Sequence, residues 1–237
     1  MKKIFTIASA LFLLSSPLMA QDSITDFSSP VQKIERNKDR LMFSTYNCFW
    51  QGLPTGVAQR TISQGYNISL MFDIPTAEKS KISFGLGLGY TRNNLYSNAI
   101  TKQDFSNRTF VMNPIADGIK YNTNKLAFSY LSIPLEVRFR SPQNIRVAFG
   151  LRSNILVDAF SKYYGHNPDT LLFGQNDQLK IINHDITSTE KYSFELTARV
   201  GWKFVTLNGS YMLNKLFTAD KGPQIGGYTL GVTLSAW

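Results

Sequence analysis

Cysteine is almost missing: Cys48 stands alone in 237 residues. No intramolecular disulfide can form, and the cysteine-based zinc patterns fail on the same count. Histidine is nearly as scarce, with His166 and His184 close together in one stretch, which leaves little for a metal site. No apolar run approaches the length of about 20 residues that a membrane-spanning helix requires. Acidic residues are the minority, 16 Asp and Glu against 25 Lys and Arg, for a formal charge of +9.

The first twenty residues are read apart from the fold. Lys2 and Lys3 open the chain, Ile4 to Leu14 is a short apolar run, and Ser15 to Ala20 ends on a small residue. This is the layout of a secretory signal peptide cut near Ala20. Gln21 follows, not Cys, which argues against a lipid-anchored N-terminus. Export makes nucleic acid an improbable partner. The basic balance instead suits an anionic lipopolysaccharide surface or acidic proteins. Residues 21–39 are polar, without a period, and read as a flexible periplasmic lead-in; residues 40–237 form the domain.

What is abundant is alternation. Tyr66, Ile68, Leu70, Phe72 and Ile74 are apolar, with Asn67, Ser69, Met71 and Asp73 between them. After a polar turn at 75–81 come Ile82, Phe84, Leu86, Leu88 and Tyr90, separated by Ser83, Gly85, Gly87 and Gly89. A period of two places each set on one face of a strand. The hairpin has one greasy face with aromatics at its end and one polar or very small face. That is how a membrane strand is built, with aromatics at headgroup level and aliphatics between.

The same pattern recurs along the chain. A first, weaker strand covers Leu41 to Trp50, where both faces carry large apolar residues and the assignment is ambiguous. Strands follow over Phe128 to Arg140, Ile145 to about Val157, Tyr192 to Trp202, Val205 to Leu213 and Tyr228 to the C-terminus. A very tight turn is expected at Lys203–Val205, and a bulge at Pro134, which has no backbone donor. Asn93 to Lys125 and Ser161 to Glu190 read as long loops. Connections then alternate between long and short, with both termini at the short-turn end. The expected fold is all-β: an eight-stranded antiparallel up-and-down transmembrane β-barrel with long extracellular loops.

A soluble calyx inverts the same pattern, with the greasy face turned inward around an apolar ligand. The polar face favours the membrane. Inside a barrel, Glu136, Arg138, Arg140, Arg146, Arg152, Glu195 and Arg199 form a lumen charge network of mixed sign that can pair internally. Gly85, Gly87 and Gly89 leave room there for long arginine side chains from across the lumen. An eight-stranded interior is only just wide enough for its own side chains, so bulk diffusion is not expected.

The strand Tyr130-Leu131-Ser132-Ile133-Pro134-Leu135-Glu136-Val137-Arg138-Phe139-Arg140 resembles one common in the outer-membrane β-barrel proteins of Bacteroidetes, a grouping that includes PorT-like proteins. The short turn after it, the Val147-Ala148-Phe149-Gly150 strand and the Gly-x-Gly-x-Gly-Tyr rhythm of 85–90 are similar to that family. The resemblance implies an outer-membrane location and a setting in secretion or envelope maintenance. Trp237 departs from the usual pattern, being out of phase with Leu230, Val232 and Leu234.

Two kinds of site are weighed. Small outer-membrane barrels can be lipid A-modifying enzymes. Here His184, beside Asp185 and near Thr187 and Ser188, and His166, near Asp169, supply a base with a carboxylate but no nucleophile fixed on a strand. Loop aromatics Tyr96, Phe105, Phe110, Tyr121, Tyr163, Tyr164 and Phe173 are candidates for a partner-binding surface, or else for packing over the barrel mouth. The expectation is a non-enzymatic barrel without cofactor or metal. It presents loops to a partner, with outer-membrane lipid or lipopolysaccharide and other envelope or secretion proteins as its surroundings.

Overall fold

The computed structural model describes residues 41–76, 80–104, 106–107, 109–141, 145–167, 178–184, 186 and 188–236. The expected signal segment 1–20 and lead-in 21–39 lie outside these residues, as does Trp237. Among the described residues eleven strands form: β1 (Leu41–Gln51), β2 (Gln64–Pro75), β3 (Ile82–Tyr96), β4 (Ala99–Asp104), β5 (Thr109–Pro114), β6 (Tyr121–Arg140), β7 (Ile145–His166), β8 (Gln178–Asn183), β9 (Tyr192–Trp202), β10 (Val205–Met212) and β11 (Gly226–Ala236).

Eight of them are staves. Each of β1, β2, β3, β6, β7, β9, β10 and β11 is hydrogen-bonded to the next, and β11 returns to pair with β1, all antiparallel. Closure removes the open edges that lipid could not satisfy. The period of two then sorts the side chains. On β2, Ile68, Leu70 and Phe72 are 45%, 51% and 62% exposed, while Asn67, Ser69 and Met71 between them are buried. Leu86 and Leu88 on β3, Leu135 on β6, Leu196 on β9 and Leu230 on β11 continue the outward apolar belt. A surface this greasy, running around the molecule, is unlike a soluble monomer, whose apolar patches reach a few hundred Å². Oily side chains lie outside and ionic ones inside, the reverse of a calyx.

Several expectations change. The staves are longer than the alternation suggested: β3 continues to Tyr96, β6 starts at Tyr121 and β7 runs to His166, so parts of both supposed long loops are strand. Within what remains, β4 and β5 form a separate hairpin, and β8 adds to the outer part of β7. Above the lipid the outward face need not be apolar, so the contrast fades while the strand persists. No bulge occurs at Pro134. Its pairing with β7 continues opposite Arg152, and the β3–β6 ladder lapses over Ile133–Pro134 and resumes in the same register. The bulge sits higher, between Ser129 and Tyr130, where β7 carries Val157 as an extra residue. On β1 the ambiguity resolves: Met42, Ser44, Tyr46, Cys48 and Trp50 face inward. The tight turn falls where expected, with Val205 paired to Trp202 and Lys203 at φ 53°.

Candidate functional site

The interior has two storeys. The lower, at the short-turn end, is ionic. Asp73 accepts from Arg140 Nη2 at 2.6 Å and from Arg138 Nη1 at 3.4 Å, and also from Ser83 Oγ at 3.0 Å. Arg138 Nε donates to Glu136 Oε2 at 3.1 Å, and Arg199 donates to the same oxygen. Higher up, Arg152 pairs with Glu195, whose other oxygen accepts from Asn154 Nδ2 at 2.8 Å. Arg146 faces the same space, beside Arg138, Arg140 and Arg199. All seven charges read from the sequence therefore lie on the inward face. Asp73 belongs with them and was overlooked. The alternation places it on the polar face with Asn67, Ser69 and Met71, but it was not counted among the lumen charges.

Hydroxyls and amides continue the network upward. Ser132 Oγ donates to Asn154 Oδ1 at 2.7 Å, Thr91 and Ser132 hydroxyls are 2.6 Å apart, and Asn67 Nδ2 donates to Thr91 Oγ1 at 2.8 Å. Tyr46 OH donates to Asn93 Oδ1 at 2.8 Å. The void between these groups is about 40 Å³, lined by Met42, Tyr46, Met71, Arg152 and Arg199 among others. That volume accommodates a water or two, not a solute path. The glycine expectation is corrected in part. Gly85 does admit an arginine, with a Cβ there 2.7 Å from Arg138 Nε, but Arg138 comes from the adjoining stave and not from across the lumen. Gly87 makes room for Met71, and Gly89 for Ser69.

The upper storey is apolar. Trp50, Leu95, Leu126, Phe128 and Tyr130 from the staves pack with Val57, Ala99, Phe110, Met112, Ile186, Leu216, Phe217 and Ile225 from the connections. Each of the four long connections contributes at least one of these side chains. Phe128 meets Phe217 edge-on at 6.2 Å, and Trp50 Nε1 donates to the Asn94 carbonyl at 3.1 Å. Backbone bonds stitch the connections together, including Phe110 N to Lys221 O at 2.7 Å and Arg60 N to Tyr96 O at 2.7 Å. The loop end of the barrel is thus closed by a folded cap.

This cap decides what the loop aromatics do. Phe110 is 3% exposed and Tyr163 6%, so both pack inward and are withdrawn from the proposed contact surface. Tyr121 lies against Tyr163 at 6.3 Å, Tyr164 OH donates to Gln178 Oε1 at 3.0 Å, and Tyr96 lies under Lys125 Nζ at 5.5 Å. Tyr96, Tyr121 and Tyr164 remain half-exposed. Phe105 and Phe173 lie outside the described residues.

The histidines separate. His184 Nδ1 lies 3.2 Å from Asp158 Oδ1, and its ring packs on Phe160 at 5.1 Å. Asp158 was not foreseen as its partner; Asp185, Thr187 and Asp169 lie outside the described residues. Both members of the pair are solvent-exposed, and among the described residues no hydroxyl or thiol is hydrogen-bonded to His184. Among the described residues no group of three metal-binding side chains occurs.

A family model described as an outer membrane protein beta-barrel domain matches residues 37–217. No curated protein matches the chain. Among solved structures, the crystal structure of Ail, the attachment invasion locus protein of Yersinia pestis, is similar at a TM-score of 0.38 and 12% identity, covering 82% of this chain and 95% of that one.

Proposed function

We propose, for a chain that belongs to the outer membrane protein beta-barrel domain family, that the barrel is a non-conducting, non-enzymatic anchor holding a pre-folded cap at the cell surface for a protein partner. The observation that carries this is the shared core of the four long connections, with Val57, Phe110, Ile186 and Phe217 each drawn from a different one. Loops that only link staves need no common core. Loops ordered before contact lose less freedom on binding, which favours a standing recognition surface. The ionic lower storey supports the same reading: each of its three carboxylates is held by at least one arginine, and the residual void is too small for a solute. The PorT-like resemblance of the Tyr130–Arg140 strand adds the class of partner, another envelope or secretion protein.

Two measurements test the proposal. In planar bilayers the reconstituted protein is expected to leave the conductance at background; discrete openings would overturn the non-conducting part. A variant with residues 97–120 replaced by a short Gly-Ser turn is expected to insert and close as a barrel. The same variant should lose the partner that co-purifies with the wild-type chain from native envelopes. Retention of that partner would overturn the role of the cap.

A further inference from the structure

Just above the apolar belt, the outward face of β3, β6 and β7 changes character. Tyr90 is the last aromatic of the belt on β3, and its ring lies 6.2 Å from that of Tyr66. One outward step higher is Arg92. Register places Arg92 opposite Ser129, Tyr96 opposite Lys125, and Lys125 opposite Lys162. Three cations on neighbouring staves therefore share one face. Like charges directly opposite one another destabilise a sheet, yet no described carboxylate forms an ion pair with any of the three. The acid on this face, Asp158, is engaged by His184.

The cations are gathered, not splayed. Arg92 Cζ lies 4.8 Å from the centroid of Phe160, and Lys125 Nζ lies 5.9 Å from the same ring. In the ladder Arg92 stands opposite Ser129, and Lys125 precedes Ala127 and Ser129 on the same face of β6. Ser129 is 2% exposed, and its hydroxyl has no hydrogen-bond partner. A buried hydroxyl left without a partner, opposite Arg92 in the ladder, is a donor in search of an acceptor.

We propose that this basin, centred on Arg92, Lys125, Lys162 and Ser129, binds a phosphate of the outer leaflet's phosphorylated glycolipid, lipopolysaccharide. The acyl chains would lie on the belt directly below, along Leu88 and Leu131, both exposed to the lipid. The basin begins at Arg92, two residues beyond Tyr90 on β3, and extends to the level of Tyr96, where Lys125 and Lys162 stand, so that its lower edge lies at headgroup height. Guanidinium and ammonium groups supply charge-assisted donors for phosphate oxygens, and the Ser129 hydroxyl adds a neutral one. The inference rests on the outer-membrane reading above and is independent of any protein partner of the cap.

The test uses the full mature chain in phosphatidylcholine nanodiscs titrated with bisphosphorylated lipid A. The comparison variants are the triple R92Q/K125Q/K162Q and a control, K102Q/K215Q/K221Q, with the same change of charge elsewhere in the loops. Each surface cation is worth roughly a fivefold change in affinity, so the triple variant is expected to bind about a hundredfold more weakly while the control stays near wild type. Ser129→Ala keeps every charge and is expected to weaken binding severalfold, which covers the case of a triple variant that does not fold. Equal losses in triple and control, or unchanged binding in Ser129→Ala together with the triple, would overturn the site. Phosphatidylglycerol or dephosphorylated lipid A binding as well as lipid A would overturn the choice of ligand. Heat-modifiable gel migration reads insertion separately, so failure of the wild-type chain to insert marks a failure of the outer-membrane reading itself.

Discussion

Phe110, on the hairpin inside the second long connection, stacks on Phe217 from the last one, with ring centroids 4.6 Å apart and planes 18° from parallel. Residues more than a hundred positions apart in sequence thus hold the cap together. The backbone bond from Phe110 N to Lys221 O lies beside the rings, and Gly222 leaves the room they need, since a Cβ there would fall 2.8 Å from Phe217 Cβ.

Truncating that contact should loosen the cap and spare the barrel. Phe110→Ala removes a side chain that is 3% exposed. Phe-to-Ala changes in packed cores cost about 3–5 kcal/mol, here drawn from cap order. Hydrogen exchange is expected to quicken over β4, β5 and residues 213–225, with the staves β2 and β9 unchanged. Uniform protection across the cap would contradict the packing role of Phe110.

The buried pair Arg152–Glu195 should be far more sensitive to halving than to removal. Glu195 is 1% exposed, and among the described residues Arg152 has besides it only a hydrogen bond to the Ser210 hydroxyl at 3.4 Å. Glu195→Gln leaves the guanidinium uncompensated, which costs about 3–5 kcal/mol, whereas replacing both partners by apolar residues of similar volume is often close to neutral. Urea-driven unfolding from vesicles, followed by tryptophan fluorescence, is expected to rank Arg152→Met/Glu195→Leu above Glu195→Gln. The opposite ranking would mean that the pair is net stabilising.

The contrast between what the sequence disclosed and what it hid has one main physical source. Within the lipid the two faces of a stave meet opposite media, and Ile68 against Asn67 or Leu135 against Glu136 announces which is which. Beyond the belt both faces meet polar surroundings or protein, so Thr123, Lys125 and Ala127 on β6 carried no signal of strand. On β1 both faces are apolar, because Tyr46, Cys48 and Trp50 reach into the capped storey while Phe43 and Phe49 face outward. The pairing of Asp158 with His184 stayed hidden for another reason. The extra residue Val157 shifts parity by one and turns Asp158 from the lumen to the outer face, where His184 finds it. Beyond Val157 both faces mix polar and apolar residues, so the change of parity does not show in the alternation.

The cap hairpin should carry a pH dependence set by Asp104. Its carboxylate accepts from Asn107 Nδ2 at 2.8 Å, from Ser106 N at 2.9 Å and from Asn107 N at 3.4 Å. These bonds, the Asn107 side chain first, hold the acid below its ordinary range. A depressed folded-state pKa means that the stabilisation is complete above the ordinary carboxylate value of about 3.9 and disappears as pH falls through the folded value. Amide chemical shifts of Ser106 and Asn107 are expected to hold steady down to that ordinary value and to move below it. In Asp104→Asn this transition should be absent.

The sharpest test of which medium surrounds the staves compares two side chains of similar exposure. Leu135, opposite Leu86 on the belt, is 50% exposed, and Val111 on the cap hairpin is 45% exposed. By accessibility alone an arginine should be tolerated equally at both. If Leu135 faces hydrocarbon, Leu135→Arg costs about 2–4 kcal/mol, whereas Val111→Arg on a watered surface should stay within about 0.5 kcal/mol. Unfolding free energies in phosphatidylcholine vesicles separate the two cases. Equal values for both variants would place the belt in water, and with it the whole assignment of oily outside and ionic inside would fall.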